Sequence, residues 1–202
     1  VPSPRGAVNR RGAATRDAIL DAAVELFATR GYRGSGILEL AKRVGITHAG
    51  VLHHFGTKEN LLRAVVARRD EAQAARFAEV DAPDRAVLPL LGDARPFIEP
   101  ALLTRLTAVL RTENLDPDDP LHEYFVERER YARSVVADEI RRGQADGQLR
   151  PDVDPDVKAA EVLAFVIGIE LQWMLSPDLV DPYAAYASFA RALLDDLARE
   201  PA

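Results

Sequence analysis

Residues 37–55 constrain the fold more than any other stretch: two apolar-patterned segments, each long enough for about two helical turns, are separated only by Gly45-Ile46-Thr47. Ile37, Leu40, Ala41 and Val44 repeat at helical spacing, and Val51, Leu52 and Phe55 do so again. Gly45 permits the positive φ that a tight helix exit demands, and Thr47 is a residue type that caps the helix after it. Ile46 is placed to plug the angle between the helices, and Ala41 is small where they approach. Such a pair is expected to form a helix-turn-helix whose second helix projects from the body. Ser35 or Gly36 is expected to cap the first helix.

The flanking chain supplies helices on both sides. Ile19, Ala22, Ala23, Leu26 and Phe27 fall on one helical face, with Thr15 placed as an N-cap and Gly31 as a stop. Thr57 is expected to cap a fourth helix, in which Leu61, Leu62, Val65 and Val66 recur, running past Arg69 towards Ala78 until Asp81-Ala82-Pro83 breaks it. Prolines at 89, 96, 100, 117 and 120 then divide the chain into shorter pieces before a long helix over about 120–145. Two further helices are expected over about 156–175 and 182–199; the first is apolar around most of its circumference, as a helix buried on two sides should be. No segment alternates with the period of a strand. The expected fold is therefore all-α: a three-helix helix-turn-helix domain over 15–57, joined to a larger helical regulatory and dimerisation domain over 58–202. Residues 1–14 carry Pro2, Pro4, Gly6, Gly12 and three arginines, Arg5, Arg10 and Arg11, and are expected to form a flexible basic arm that could enter a minor groove.

Charge is distributed unevenly. Residues 1–70 hold 12 Lys and Arg against 6 Asp and Glu, while residues 71–202 hold 14 against 26, so a front of +6 precedes a rear of −12. Duplex DNA would be drawn to the front and repelled by the rear. Several function classes are disfavoured. The chain has no cysteine, hence no disulfide, thiolate nucleophile or cysteine-bound metal. Gly31-Tyr32-Arg33-Gly34-Ser35-Gly36 has the wrong glycine spacing for a nucleotide loop and follows no strand. His48, His53 and His54 lack the spacing of a zinc site. No apolar run approaches the roughly 18 residues of a membrane span, and no secretory signal is visible. The expectation is a cytoplasmic non-enzyme with no cofactor and no membrane partner.

The second helix of the motif carries His48, Ala49, Gly50, His53 and His54 on positions that can point outward. Gly50 inside a helix costs about 1 kcal/mol relative to alanine. Small residues there let a helix backbone lie close to base edges in a major groove; the alternative is that Gly50 relieves a packing clash. Histidine gains charge below about pH 6.5, so DNA binding through these rings is expected to tighten on acidification.

Residues 15–66 resemble the DNA-binding domain of the TetR family of bacterial regulators. The resemblance rests on Ile-Leu-Asp-Ala-Ala-Val-Glu-Leu-Phe at 19–27, Gly31-Tyr32, Leu40-Ala41, Val44-Gly45-Ile46-Thr47, Leu52-His53-His54-Phe55 and Thr57-Lys58-Glu59. It implies a homodimer on a palindromic double-stranded DNA operator, acting as a repressor that a small-molecule effector releases. Position by position, it implies that His48, Ala49 and Gly50 face base edges, that His53, Thr57 and Lys58 hold phosphates, and that Ser35 and Gly36 lie near the backbone; Thr47 and His54 complete the expected site. Two departures stand out. Leucine occupies position 52 where relatives commonly carry tyrosine, and histidine occupies position 48 where many carry lysine.

The C-terminal half suits the same organisation. Its last two helices are expected to make a four-helix dimer interface through Val162, Val166, Tyr186, Phe189, Ala190, Leu193 and Leu197. An effector pocket is expected among the middle helices, walled by Phe97, Leu102, Leu106, Phe125, Phe165, Ile169, Trp173 and Met174 and anchored by Arg105, His122 or Glu170. Effector binding there would tilt the helix that starts at Lys58 and change the spacing of the recognition helices. Two other readings remain open at this level: a helical dimer whose helix-turn-helix packs on protein, and an activator or ligand-independent regulator.

Overall fold

In the computed structural model, residues 4–78 and 98–198 are described, with side chains over 11–76 and 98–198. Eight α-helices lie among them: α1 (Pro4–Arg30), α2 (Ile37–Val44), α3 (His48–Phe55), α4 (Lys58–Ala78), α5 (Ala101–Glu113), α6 (His122–Ala145), α7 (Pro155–Leu175) and α8 (Pro182–Leu197). The described residues contain no strand; one isolated antiparallel bridge joins Leu149 to Ala198. No described helix is long and apolar enough to cross a membrane. The all-α architecture is the one that the apolar periodicity implies.

The chain divides into two compact units, residues 1–74 with 101–122, and residues 75–100 with 123–202. In the first, α1 packs on α2 and α5, and α2 packs on α3. Ile19, Leu20, Ala23, Leu26 and Phe27 of α1 are buried with Leu40, Ala41, Val51, Leu61, Leu62, Val65, Leu106 and Leu110. Burying a side chain such as leucine contributes roughly 1.5–3 kcal/mol, so this core can hold two eight-residue helices that would not persist alone. The unit reaches past residue 57, because α5 covers α1.

The start of α1 differs from expectation. The helix begins at Pro4, and Thr15 lies inside it, its hydroxyl donating to the Arg11 carbonyl at 2.9 Å. Proline is tolerated in a first helical turn, where its missing N–H has no partner to lose, and threonine inside a helix returns its hydroxyl to the carbonyl four residues back. Gly31 ends the helix as expected, at φ +73° with its N–H on the Phe27 carbonyl.

The second unit is built on α6, α7 and α8. Its core comprises Ile98, Val136, Ala137, Ile140, Ala159, Val162, Ile169, Tyr186, Ala190, Leu193 and Leu197, and Phe165 stacks on Phe189 with ring centroids 3.9 Å apart. This corrects the expected dimer face. Val162, Tyr186, Ala190, Leu193 and Leu197 are buried inside the subunit, and Val166 and Phe189 are half-buried against the same core. A helix apolar on two sides has two stripes, and periodicity does not say which one meets its own fold. The outward stripe of α7 runs through Val157, Ala164, Gly168, Leu171 and Leu175, at spacings of 7, 4, 3 and 4 residues. Leu171 is 50% exposed and Leu175 74%. Tyr183 and Leu194 are exposed on α8, as is Leu179 before it.

Candidate nucleic-acid interface

The helix-turn-helix is held by devices local to it. Gly45 adopts φ +74° and ψ +30°, its N–H reaching the Lys42 carbonyl while the Ile46 N–H reaches Ala41 at 3.0 Å. These paired bonds satisfy the last carbonyls of α2, and the left-handed conformation is one that glycine adopts without strain. Two residues later the Thr47 hydroxyl accepts the Gly50 N–H at 3.0 Å and caps α3. The other end of α3 closes at Gly56, at φ +73°, and the Thr57 hydroxyl accepts the Asn60 N–H at 3.0 Å to cap α4. Thr47 and Thr57 therefore set where the helices start, with both residues exposed.

Val51 and Phe55 bury the inner face of α3, and His48, Ala49 and His53 are exposed on the outer one. Gly50, Leu52 and His54 are half-buried, His54 lying against both the His53 and Phe55 rings. A Cβ built on Gly50 would come no nearer than 3.3 Å to the Thr47 hydroxyl and 3.6 Å to Ile46. That contact is tight but is no clash with backbone. A side chain there would press on the hydroxyl that caps α3. Among the described residues no group of three or more His, Asp or Glu side chains gathers to hold a metal.

Two expected phosphate contacts are spent on the protein itself. Ser35 is buried, its hydroxyl donating to the Gly31 carbonyl and, at 3.4 Å, to Leu26. Gly36 beside it is exposed at the N-cap of α2, where no side chain caps the first N–H groups. Lys58 is half-buried: its ammonium donates to the Tyr32 carbonyl at 2.5 Å and sits 4.2 Å from the Tyr32 ring centre. Burial lowers its pKa, against the pull of the Glu113 carboxylate, which raises it. Glu113 at the end of α5 accepts the Tyr32 N–H at 2.6 Å, so one peptide segment is gripped at its N–H from α5 and at its C=O from α4. Burial, and then the Glu59 charge, push the Tyr32 phenol up. The Arg33–Asp119 ion pair and the bond from Arg63 to the Pro120 carbonyl at 3.1 Å add to this brace.

Sequence reasoning missed the Glu113 clamp because its partners lie 81 residues apart. It also missed Arg16, whose guanidinium carbon stands 5.1 Å from the ring centre of Phe55, the last residue of α3. The expected pocket residues fall in both units: Leu102, Arg105, Leu106 and His122 in the first, Phe125, Phe165, Ile169, Glu170, Trp173 and Met174 in the second. Phe97 lies outside the described residues. Leu102 and Arg105 are exposed, Leu106 is buried core, and His122 bonds the Asn114 carbonyl through Nδ1 at 3.2 Å, so these four read as surface and structure. In the second unit Phe125 and Ile169 are buried, while Phe165, Glu170, Trp173 and Met174 are half-buried.

Comparison with known proteins agrees with this geometry. Residues 19–65 match the family model for bacterial regulatory proteins of the tetR family, and residues 114–199 match that of the BetI-type transcriptional repressor C-terminal domain. The chain is 36% identical over 146 residues to the HTH-type transcriptional repressor AcnR of Corynebacterium diphtheriae, covering 70% of this chain and 72% of that protein. It is 26% identical to the HTH-type transcriptional regulator UidR of Escherichia coli K12, covering 89% of each. Among solved structures, NalD, the secondary repressor of the MexAB-OprM multidrug efflux pump in Pseudomonas aeruginosa, has the same fold. The TM-score is 0.74 at 20% identity, over 95% of this chain and all of that one.

Proposed function

This chain belongs to the TetR family of bacterial regulatory proteins and is a DNA-binding transcriptional repressor, and from that premise we propose that it works as a homodimer on a palindromic operator and leaves it when a small molecule binds the second unit. The observation that carries the proposal is the contrast between α3 and α7. The outer face of α3 is small and polar, with His48, Ala49 and His53 exposed around Gly50, which suits a helix lying in a major groove. The outer stripe of α7 is apolar, with Leu171 and Leu175 uncovered in the single chain, which suits burial against a second copy.

In this mechanism α3 reads base edges through positions 48–50, and His53, Thr57 and the uncapped start of α2 at Gly36 approach phosphates. Lys58 and Ser35 act indirectly, by holding the segment between α1 and α2. Two recognition helices roughly 34 Å apart would read successive major-groove faces of a palindrome. The effector site is placed among Phe125, Phe165, Ile169, Glu170, Trp173 and Met174, an apolar group with one carboxylate. SmeT, a protein of the same fold with TM-score 0.72 at 24% identity, is known as a complex with triclosan; that likeness supports only a fold able to host such a site. Release requires the effector to favour one arrangement of the DNA-binding helices over another.

Selection of bound duplexes from a random pool, followed by titration of the selected duplex, tests the proposal. Enrichment of an inverted repeat, bound by two chains per duplex, is the expected result. Enrichment of a single unrepeated site bound by one chain would remove the dimeric reading, and no enrichment at all would remove specific DNA binding.

A further inference from the structure

We propose that His48 sets the base specificity of α3: its imidazole takes up a proton as the complex forms and reads a guanine edge in the major groove, so that the operator is held more tightly as pH falls. The inference rests on the reading that α3 binds duplex DNA, and it names the base and the charge state at that site.

Base edges are reached mainly from the N-terminal end of a recognition helix. The first turn of α3 is His48, Ala49, Gly50 and Val51. Ala49 and Gly50 have no polar head, and Val51 is buried. The Thr47 hydroxyl before them already accepts the Gly50 N–H at 3.0 Å. At the other end of the helix His53 is exposed, and His54 is half-buried against the His53 and Phe55 rings. His48, itself exposed, is therefore the side chain of that first turn with a hydrogen-bonding head to offer a base. Its neighbours at 49 and 50 carry nothing longer than a methyl group, so its ring can reach the groove floor.

The charge of α3 is set by histidine alone, because the helix contains no lysine, arginine, aspartate or glutamate. Lys58, the next cation along the chain, has its ammonium on the Tyr32 carbonyl. The elements around α3 bring Glu39, Lys42 and Arg43 on α2, Arg16 on α1 and Glu59 beside Lys58 on α4. Glu39 is bonded to Arg30 and Arg43, and Glu59 to Arg63. Among the described residues no carboxylate forms an ion pair with His48, so nothing there holds a proton on the ring. Histidine gains charge below about pH 6.5, and the phosphates that line a groove favour the charged form. Binding therefore draws a proton onto the ring.

The same proton decides which base is preferred. Guanine presents two acceptors in the major groove, N7 and O6, whereas adenine presents the N7 acceptor beside the N6 donor. A neutral imidazole has one donor and one acceptor; the protonated ring has two donors and a positive charge. The charged ring is attracted by both guanine acceptors and opposed by the adenine amino group. Proton uptake and guanine preference are thus coupled in one side chain.

The test uses a duplex enriched from a random pool by the wild-type protein at about pH 6, and copies of it in which each half-site guanine, with its symmetry mate, is changed to adenine. Fluorescence anisotropy at constant ionic strength gives the affinities of wild type, His48→Lys and His48→Gln at about pH 6 and about pH 8. Wild type should bind the enriched duplex roughly ten-fold more tightly at the lower pH. One guanine-to-adenine change should cost it roughly ten-fold there and less at the higher pH. His48→Lys, whose charge is fixed, should keep the guanine preference and lose most of the pH dependence. His48→Gln, whose amide suits adenine, should lose both. Neither change removes a bond within the described residues, and binding by His48→Lys shows that the domain remains folded. Wild-type affinity independent of pH would overturn the proposal, as would a half-site in which no guanine matters, or a pH dependence and base preference that survive in His48→Gln. Wild type that binds no duplex at either pH removes the parent reading as well.

Discussion

The two units treat their apolar residues differently. In the first, α1 to α3 turn them inward, and among their described residues Leu38 is the large hydrophobic side chain that stands exposed. In the second, α7 and α8 bury one stripe and leave Val157, Leu171, Leu175, Tyr183 and Leu194 in solvent. In the first unit the outer face of α3 is small and polar. In the proposed dimer the second is half of a larger core. In the proposed function the contrast separates two uses of a helix: one would present polar atoms to a groove, the other would hold apolar area for a second copy.

The sharpest way to break this comparison is to mutate the two stripes of the second unit in turn. Tyr186→Ala or Leu193→Ala, in the inner stripe, should each cost about 2–5 kcal/mol of stability, read as a lowered thermal midpoint of whatever species is present. Leu171→Glu with Leu175→Glu, in the outer stripe, should leave the subunit folded and shift its sedimentation from dimer to monomer. Reversal of the two outcomes would mean that the stripes have been assigned the wrong way round.

Smaller effects sharpen the first half of the comparison. Gly45→Ala forces a residue with a Cβ to φ +74° and should cost about 1–2 kcal/mol. Thr47→Ala removes the cap on α3 and should cost about 1 kcal/mol; chemical denaturation reads both. If neither matters, the turn is not what holds α3.

The smallest effect lies in the second unit. The Arg150 guanidinium beside Asp152 holds that carboxyl down at about 2. A carboxyl depressed in the fold contributes stability above its unfolded pKa and loses it as pH falls through the folded value. Here that window lies between 3.8 and about 2. The residue is solvent-exposed, so the contribution is slight, but the Asp152 carbon resonance should titrate near 2 in wild type and near the ordinary carboxylate value in Arg150→Gln.

What the sequence made legible follows the same divide. The turn of the helix-turn-helix was readable because each of its devices is local: the Gly45 N–H reaches a carbonyl three residues back, the Ile46 N–H one five residues back, and Thr47 an N–H three residues on. Thr15 misled because threonine has two roles in helices, capping from outside and bonding backwards from within, and only the conformation of residues 4–14 decides between them. Lys58 has the right type and place for phosphate, yet Tyr32, 26 residues earlier, draws its ammonium inward. The residues expected at a dimer face lie in the subunit's own core for a similar reason. The apolar pattern of α7 shows that two faces need cover, and the choice between them depends on Ala159, Val162 and Ile169 meeting residues of α6 and α8.

The central claim is that the second unit joins two chains so that two copies of α3 read one operator. Anisotropy of the Leu171→Glu, Leu175→Glu variant on the selected operator and on a single half-site tests it most directly. The account predicts that wild type binds the full operator at least a hundred-fold more tightly than the half-site, as linked sites do, and that the variant binds both equally weakly. Full-operator affinity in the variant equal to that of wild type would contradict it.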